Sequence, residues 1–319
     1  MAEIDRSTGE NWERKTLEKV ALAAIQEQRR ARHWSILFKL LLLVYLFALL
    51  FIGLGWIGGT GKSSSGKHTA MVELRGVIGP DSSASADNVI LGLQGAFKDE
   101  GTQAVILRIN SPGGSPVQAG HINDEIKRLR AKYPKIPVYA VVEDICASGG
   151  YYVAVAADRI YVDKGSIIGS IGVLMDGFGF TGLMEKLGIE RRLLAAGENK
   201  GFLDPFSPIS EPQQKYAESM LSEIHQQFIT VVRQGRGQRL KETPELFSGL
   251  LWVGTRSVEL GLADALGSVD YVAREIVKAE EIVDFTPREN IAERVARRFG
   301  AAMAEAMVRT MTASAPVVR

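Results

Sequence analysis

The chain has 319 residues, 46% of them hydrophobic and 24% charged, with a formal net charge of +1. That length and apolar content allow a sizeable buried core and exclude a chain disordered overall. A near-neutral balance with no basic stripe of interleaved aromatics excludes nucleic acid as the expected partner. The single cysteine excludes an intrachain disulfide and a multi-cysteine metal site.

Residues 1–35 form a polar N-terminal segment that ends in the cluster Arg29, Arg30, Arg32 and His33. Residues 36–57, ILFKLLLLVYLFALLFIGLGWI, follow. At about 1.5 Å per residue this run crosses the roughly 30 Å of bilayer hydrocarbon. Its one charge, Lys39, is near the end and can snorkel to the headgroups. The positive cluster before the run places residues 1–34 in the cytoplasm and everything after residue 58 on the outer, periplasmic face of the cytoplasmic (inner) membrane. The run is too deep in the chain for an ordinary cleaved signal, so it reads as a permanent single-pass anchor in contact with the lipid bilayer. Residues 58–68, GGTGKSSSGKH, nearly spell a phosphate-binding loop, but His68 stands where a Ser or Thr is required. A flexible linker is the better reading.

From residue 69 the chain alternates strand and helix signals. Strands are expected at residues 70–78, 104–109, 138–142, 160–162 and 191–194, with a glycine-punctuated run at 167–174. Helices are expected at 86–97, 117–132, 151–157, 180–187 and 212–232. The alternation predicts one α/β domain over residues 69–287, a mostly parallel sheet with packed helices. In residues 288–319, Ile291, Val295, Phe299, Met303 and Met307 recur every four positions. That spacing predicts an amphipathic tail helix, and the extended end beyond it resembles a peptide substrate.

Ser148 is the leading chemical candidate. It lies in Cys146-Ala147-Ser148-Gly149-Gly150, between a strand signal and a helix signal. A strand that turns sharply into a helix presents a side chain and aims free N–H groups at the same point, a common mount for a nucleophile. Cys146 is a rival nucleophile, though at the end of an apolar strand a cysteine usually packs as a small hydrophobe. Among histidine bases, His33 and His68 lie outside the domain, and His225 falls in a polar helical stretch that reads as solvated. His121 is the serious histidine option. A lysine base is the alternative: Lys200 lies in a glycine-, proline- and phenylalanine-containing loop. A lysine base has to be held uncharged, which burial and hydroxyl partners can do; Ser166 and Ser170 are candidate partners. The loop Ser111-Pro112-Gly113-Gly114 follows a strand and precedes a helix, and its glycines can offer N–H donors to an oxyanion without a blocking side chain.

The stretches Arg108-Ile109-Asn110-Ser111-Pro112-Gly113-Gly114, Ala147-Ser148-Gly149-Gly150-Tyr151-Tyr152, Ala156-Ala157-Asp158-Arg159-Ile160, Gly169-Ser170-Ile171-Gly172-Val173 and the loop at residues 197–205, in this order, resemble the signal peptide peptidase A family of serine proteases. The resemblance implies the Clp protease/crotonase-like fold and a Ser–Lys dyad. Ser148 would attack and Lys200 would act as base, with Lys186 and Lys164 as fallbacks. Gly114 and Gly149 would supply the oxyanion donors, and Ser170 would orient the lysine. It further implies remnant signal peptides and other apolar peptides as substrates, a homo-oligomeric ring whose neighbouring subunits share active sites, and no metal or other cofactor. A broader envelope protease of the same fold is a variant of this reading. An acyl-CoA hydratase or isomerase and a non-catalytic membrane scaffold are the competing classes.

Overall fold

The computed structural model describes residues 7–53 and 66–287. The described residues fall into two compact units, 7–53 and 66–287. The expected tail helix and most of the expected linker lie outside the described residues.

In the first unit, helix α1 spans Ser7–Gly53. No proline interrupts those residues, and leucine, alanine, glutamate and arginine, all good helix formers, dominate them. Its stretch Glu18–Leu50 contains an 18-residue window of mean hydropathy 2.0, none of it buried within the structure, and is long and apolar enough to cross a membrane.

The second unit is built on eight strands among the described residues. In chain order they are β1 His68–Arg75, β2 Thr102–Ser111, β3 Val138–Ala147, β4 Arg159–Val162, β5 Ile167–Gly169, β6 Leu251–Val253, β7 Ala265–Leu266 and β8 Ile282–Asp284. The main path runs β6-β5-β3-β2-β1-β8, and all pairings are parallel except β5 with β6. The sheet forks at β3. Tyr139–Val141 of β3 pair with β4, whereas Ile145–Ala147 pair with β5. The fork turns the C-terminal half of β3, which leads to Ser148, away from the β4 branch.

Val105, Ile106 and Leu107 of β2 are wholly buried, as expected for a central parallel strand covered on both faces. Each such side chain contributes about 1.5–3 kcal/mol relative to exposure. Helices α2 (Ala86–Lys98) and α3 (Pro116–Lys132) pack with the larger core on one face. A smaller cluster of Ile106, Val141, Tyr161, Val272 and Ala273 lies on the other face. Helix α3 starts as its sequence dictates, with Ser115 as N-cap accepting from Gln118 N–H and Pro116 in the first turn.

Helix α4 covers Gly149–Ala154, α5 Thr181–Lys186, α6 Glu211–Arg236 and α7 Gly254–Glu259; α8, Val269–Tyr271, continues as a π turn over Val272–Val277. The end of α6 is clamped by Arg236, only 1% exposed, which donates to the Gly261 carbonyl (2.8 Å) and to Asp264 (2.9 Å). Arg239 adds a second ion pair to Asp264 at 3.0 Å. Burial by itself would raise the Asp264 carboxyl, but the hydrogen bond and charge of Arg236, the Ile160 N–H and Arg239 bring it below its ordinary value.

Three sequence expectations are corrected. Residues 191–194 form no strand; all four are exposed and no sheet edge accepts them. The 167–174 run is a strand only through Gly169, because Ser170 turns to φ 51° and leaves the extended region. His68, read as linker, is the first residue of β1 and fully buried, with its ring nitrogens 3.1 Å from the Gly66 carbonyl and 3.3 Å from Thr102 Oγ1.

Candidate active site

Ser148 caps α4 with φ 51° and ψ −123°, a conformation outside the ordinary wells of an L-residue. The strain is held by backbone hydrogen bonds on both sides. Ser148 N–H donates to the Gly169 carbonyl (2.8 Å), and the Ser148 carbonyl accepts from Tyr152 N–H (2.9 Å). Its hydroxyl makes no capping bond, so it is left to face the adjoining space. Below the turn, Tyr151 is fully buried and donates its hydroxyl to the Leu262 carbonyl at 2.8 Å. Burial pushes the Tyr151 phenol well up, so it stays protonated and fixes α4 as a neutral anchor.

The Pro-Gly-Gly loop lies directly against this turn. A Cβ on Gly113 would come within 2.7 Å of Ser148 Cβ and 2.8 Å of Gly149 N, so only glycine permits the approach. Gly114 has φ +146°, and a Cβ there would strike the Ile78 carbonyl oxygen at 2.1 Å. Buried Ser111 organises the loop: its hydroxyl donates to the Gly76 carbonyl (2.6 Å) and accepts from Gly113 N–H (3.2 Å). Ile78 N–H donates to the Gly113 carbonyl and Ser115 N–H to the Ile78 carbonyl. With these amides spent, the Gly114 N–H is free among the described residues. The position of a Gly149 Cβ is 3.3 Å from Gly114 N, which brings the first turn of α4 and the loop amide to the same spot.

One cavity of about 470 Å³ gathers Ser148, Gly149, Gly114 and Ser170. Pro116, Ala119, Val173, Leu174, Ile224 and Phe228 give it an apolar wall. Tyr152, Gln227 and Ser248 also line it, and sequence reasoning missed all three. Ser248 and Gln227 come from segments with no motif around them. Tyr152 lies in the quoted motif, one turn after Ser148, so its i+4 spacing was the available signal.

Among the described residues, no His, Lys, Asp or Glu side chain lines this cavity. Lys200 is exposed on the segment that follows Gly172, and the fallbacks Lys186 and Lys164 are exposed as well. His121 is exposed on α3 and does not line the cavity. Cys146, the rival nucleophile, is fully buried, and burial pushes its thiol well up, so it is inert packing. Ser166 is not a partner here: its hydroxyl donates to the Glu143 carbonyl at 2.5 Å, and it lines a separate cleft of about 760 Å³ with Arg108, Glu143 and Asp270. His225, read as solvated, is half-buried, because α6 turns it toward the 170–174 segment, where its Nε2 meets the Ile171 carbonyl at 3.1 Å.

Between Gly172 and Gln227 no residue is buried. This arm nonetheless carries Leu174 (80% exposed), Phe178 (82%) and Leu194 (96%). Large apolar side chains left this exposed are uncommon on a folded surface outside interaction sites.

A strained serine beside the free Gly114 amide and the first turn of α4, in an apolar cleft, is the equipment of a serine hydrolase. The model of Peptidase family S49 matches residues 130–283. A provisionally named protease of Synechocystis sp. is 31% identical over 207 residues, covering 65% of this chain and 72% of that protein. The chain belongs to peptidase family S49, and its forked, mostly parallel sheet with flanking helices is the Clp/crotonase-like fold expected from the motifs. A provisionally named signal peptide peptidase SppA of Enterococcus faecium is 28% identical over 233 residues, with 70% and 67% covered. The Na(+)/H(+) antiporter NhaA of Brucella melitensis is 46% identical over 177 residues, 56% of this chain, and the chain spans only 24% of that protein's length. Among solved structures, a variant of the 1510-N membrane-bound stomatin-specific protease aligns with a TM-score of 0.40 at 14% identity, covering 70% of this chain and 100% of that one.

Proposed function

We propose that this chain is a membrane-anchored serine endopeptidase that cuts apolar peptides, cleaved signal peptides among them, with Ser148 as nucleophile and Lys200 of a neighbouring copy as base. The carrying observation is the pairing of a free serine hydroxyl in a cavity lined by no base with an uncovered apolar arm that bears the lysine. Docking that arm on a second copy in a ring would bury its apolar side chains and desolvate Lys200, which favours the neutral amine.

In the proposed reaction, Ser148 Oγ attacks the scissile carbonyl while the neutral Lys200 amine takes its proton. Gly114 and Gly149 N–H groups hold the oxyanion, and such donors are worth about 2.7–4 kcal/mol each. Ser170, in the same cavity, orients the incoming amine. The ammonium then protonates the leaving amine, and water enters by the same steps to release the acyl group. The apolar wall suits the hydrophobic stretch of a signal peptide, and a relative named as a signal peptide peptidase supports that class. Helix α1 would anchor the chain in the cytoplasmic membrane with Arg29, Arg30 and Arg32 inside and the catalytic unit outside.

Complementation tests the shared site. Ser148→Ala and Lys200→Ala proteins are expected to be inactive alone. Co-expressed in equal amounts, they should recover about a quarter of wild-type turnover, because about one junction in four joins an intact serine to an intact lysine across a head-to-tail interface. A dead mixture would place the base elsewhere. Turnover retained by Ser148→Ala would remove the nucleophile assignment.

A further inference from the structure

The arm has two roots, and both form walls of the Ser148 cavity. The outgoing root supplies Ser170, Gly172, Val173 and Leu174, and the returning root, α6, supplies Ile224, Gln227 and Phe228. The outgoing root is held to the domain by a backbone bond, Ser170 N–H to the Leu250 carbonyl at 2.7 Å, and is turned on itself by Gly172 N–H to the Ser170 carbonyl at 2.9 Å. Between the roots, one side-chain bond is present among the described residues: His225 Nε2 to the Ile171 carbonyl at 3.1 Å. A carbonyl can only accept, so the imidazole carries its proton on Nε2 and donates. Ile171 is fully buried, so its carbonyl has no ready exchange for water if the histidine is lost.

We infer that His225 is a positioning residue that staples α6 to the 169–174 segment, so that the placement of the arm on a neighbouring copy sets the width of the nucleophile's cleft. Ser170 is one peptide away from the staple at Ile171, and Val173 and Leu174 follow directly. A shift of α6 along its axis is therefore transmitted to both walls together, and it alters their distance from Ser148 and Gly114, which line the same cavity. This rests on the reading of the arm as the carrier of the base, and it adds that the arm also shapes the receiving cleft of its own chain. His225 touches no substrate in this scheme; it acts through Ile171.

The test compares His225→Leu, which removes the donor, with His225→Gln, which keeps an N–H at similar reach. Hydrogen exchange in the detergent-solubilised full chain reads the staple without reference to activity. In His225→Leu, exchange in residues 169–174 should quicken about fivefold, while α6 and the oligomeric mass stay unchanged; His225→Gln should match wild type. With an apolar fluorogenic peptide, kcat/KM should fall about tenfold in His225→Leu, mainly through KM, because the walls that grip substrate loosen while the serine and its amides stay in place. Unchanged exchange in 169–174 would overturn the staple. Local quickening with wild-type kcat/KM would overturn its role in the cleft. Equal loss in both variants with faster exchange throughout the unit would reduce His225 to general packing and overturn the inference. A wild-type protein inert toward peptides would instead defeat the proposed activity, and the exchange data would still decide the staple.

Discussion

Ser148 stores backbone strain, and the strain can be measured apart from any chemistry. At φ 51° and ψ −123° the residue occupies a region that glycine enters freely. Holding an L-residue there costs about 1–3 kcal/mol. Replacing Ser148 by Ala keeps that cost, whereas replacing it by Gly removes it. Glycine carries a penalty of its own, about 0.4–1 kcal/mol, through the entropy of the unfolded chain. The net expectation is that Ser148→Gly is more stable than Ser148→Ala by about 1 kcal/mol. For a domain of this size that is a rise in melting temperature of roughly 2–4 °C. The assay is thermal unfolding of both variants in the same detergent, at equal concentration and scan rate. Ser222, on the exposed face of α6, supplies the control. There the order must invert, with the Gly variant less stable than the Ala variant by about 1 kcal/mol. A Ser148→Gly protein that melts at or below Ser148→Ala would refute the strain argument, and with it the view that the turn is held open for function.

Two further outcomes are expected. Ser111→Ala deprives Gly113 N–H of its acceptor and the Gly76 carbonyl of its donor, so the Gly114 amide loses its aim; kcat should drop about tenfold with KM within about twofold, and steady-state kinetics with unchanged kcat would contradict this. Asp264 has a folded-state carboxyl below its ordinary value, so its stabilisation is complete above about pH 4 and is lost as the pH falls through the lower folded value. Asp264→Asn, which leaves the buried Arg236 guanidinium without its counter-charge, should cost about 3 kcal/mol at neutral pH and flatten the acid limb of the stability curve; a denaturation series across pH 2–7 that overlays the wild type would refute it.

Much of the catalytic unit was readable because its signals are local. The parallel strands β1 to β4 are short apolar runs, and α2, α3 and α6 carry helical spacing with recognisable caps. Ser148 and the Gly113-Gly114 loop were readable for a related reason: a tight strand-to-helix turn requires small residues next to one another in the chain. The segments after α6 were not legible. β6, β7 and β8 have only two or three residues each, too few to show a period, and they exist because sheet partners from distant parts of the chain are waiting for them. The 191–194 stretch, Arg191-Arg192-Leu193-Leu194, failed in the opposite way, since a short strand-like pattern forms no strand where no edge is offered.

His225 is the clearest case of information absent from the chain's local pattern. Its neighbours Glu223, Gln226 and Gln227 are polar, and only the rotation of α6 in the fold turns the imidazole to Ile171. Sequence alone determined the apolar N-terminal helix, the alternating α/β order and the small-residue turn that bears a serine, because each depends on residues within a few positions of one another. Tertiary structure decided that Ser148, Gly114 and Ser170 share one cavity, that Cys146 is sealed and that Lys200 stands outside on an uncovered arm. Those facts depend on where a forked sheet brings remote segments together, and burial, unlike propensity, is a property of the packed whole.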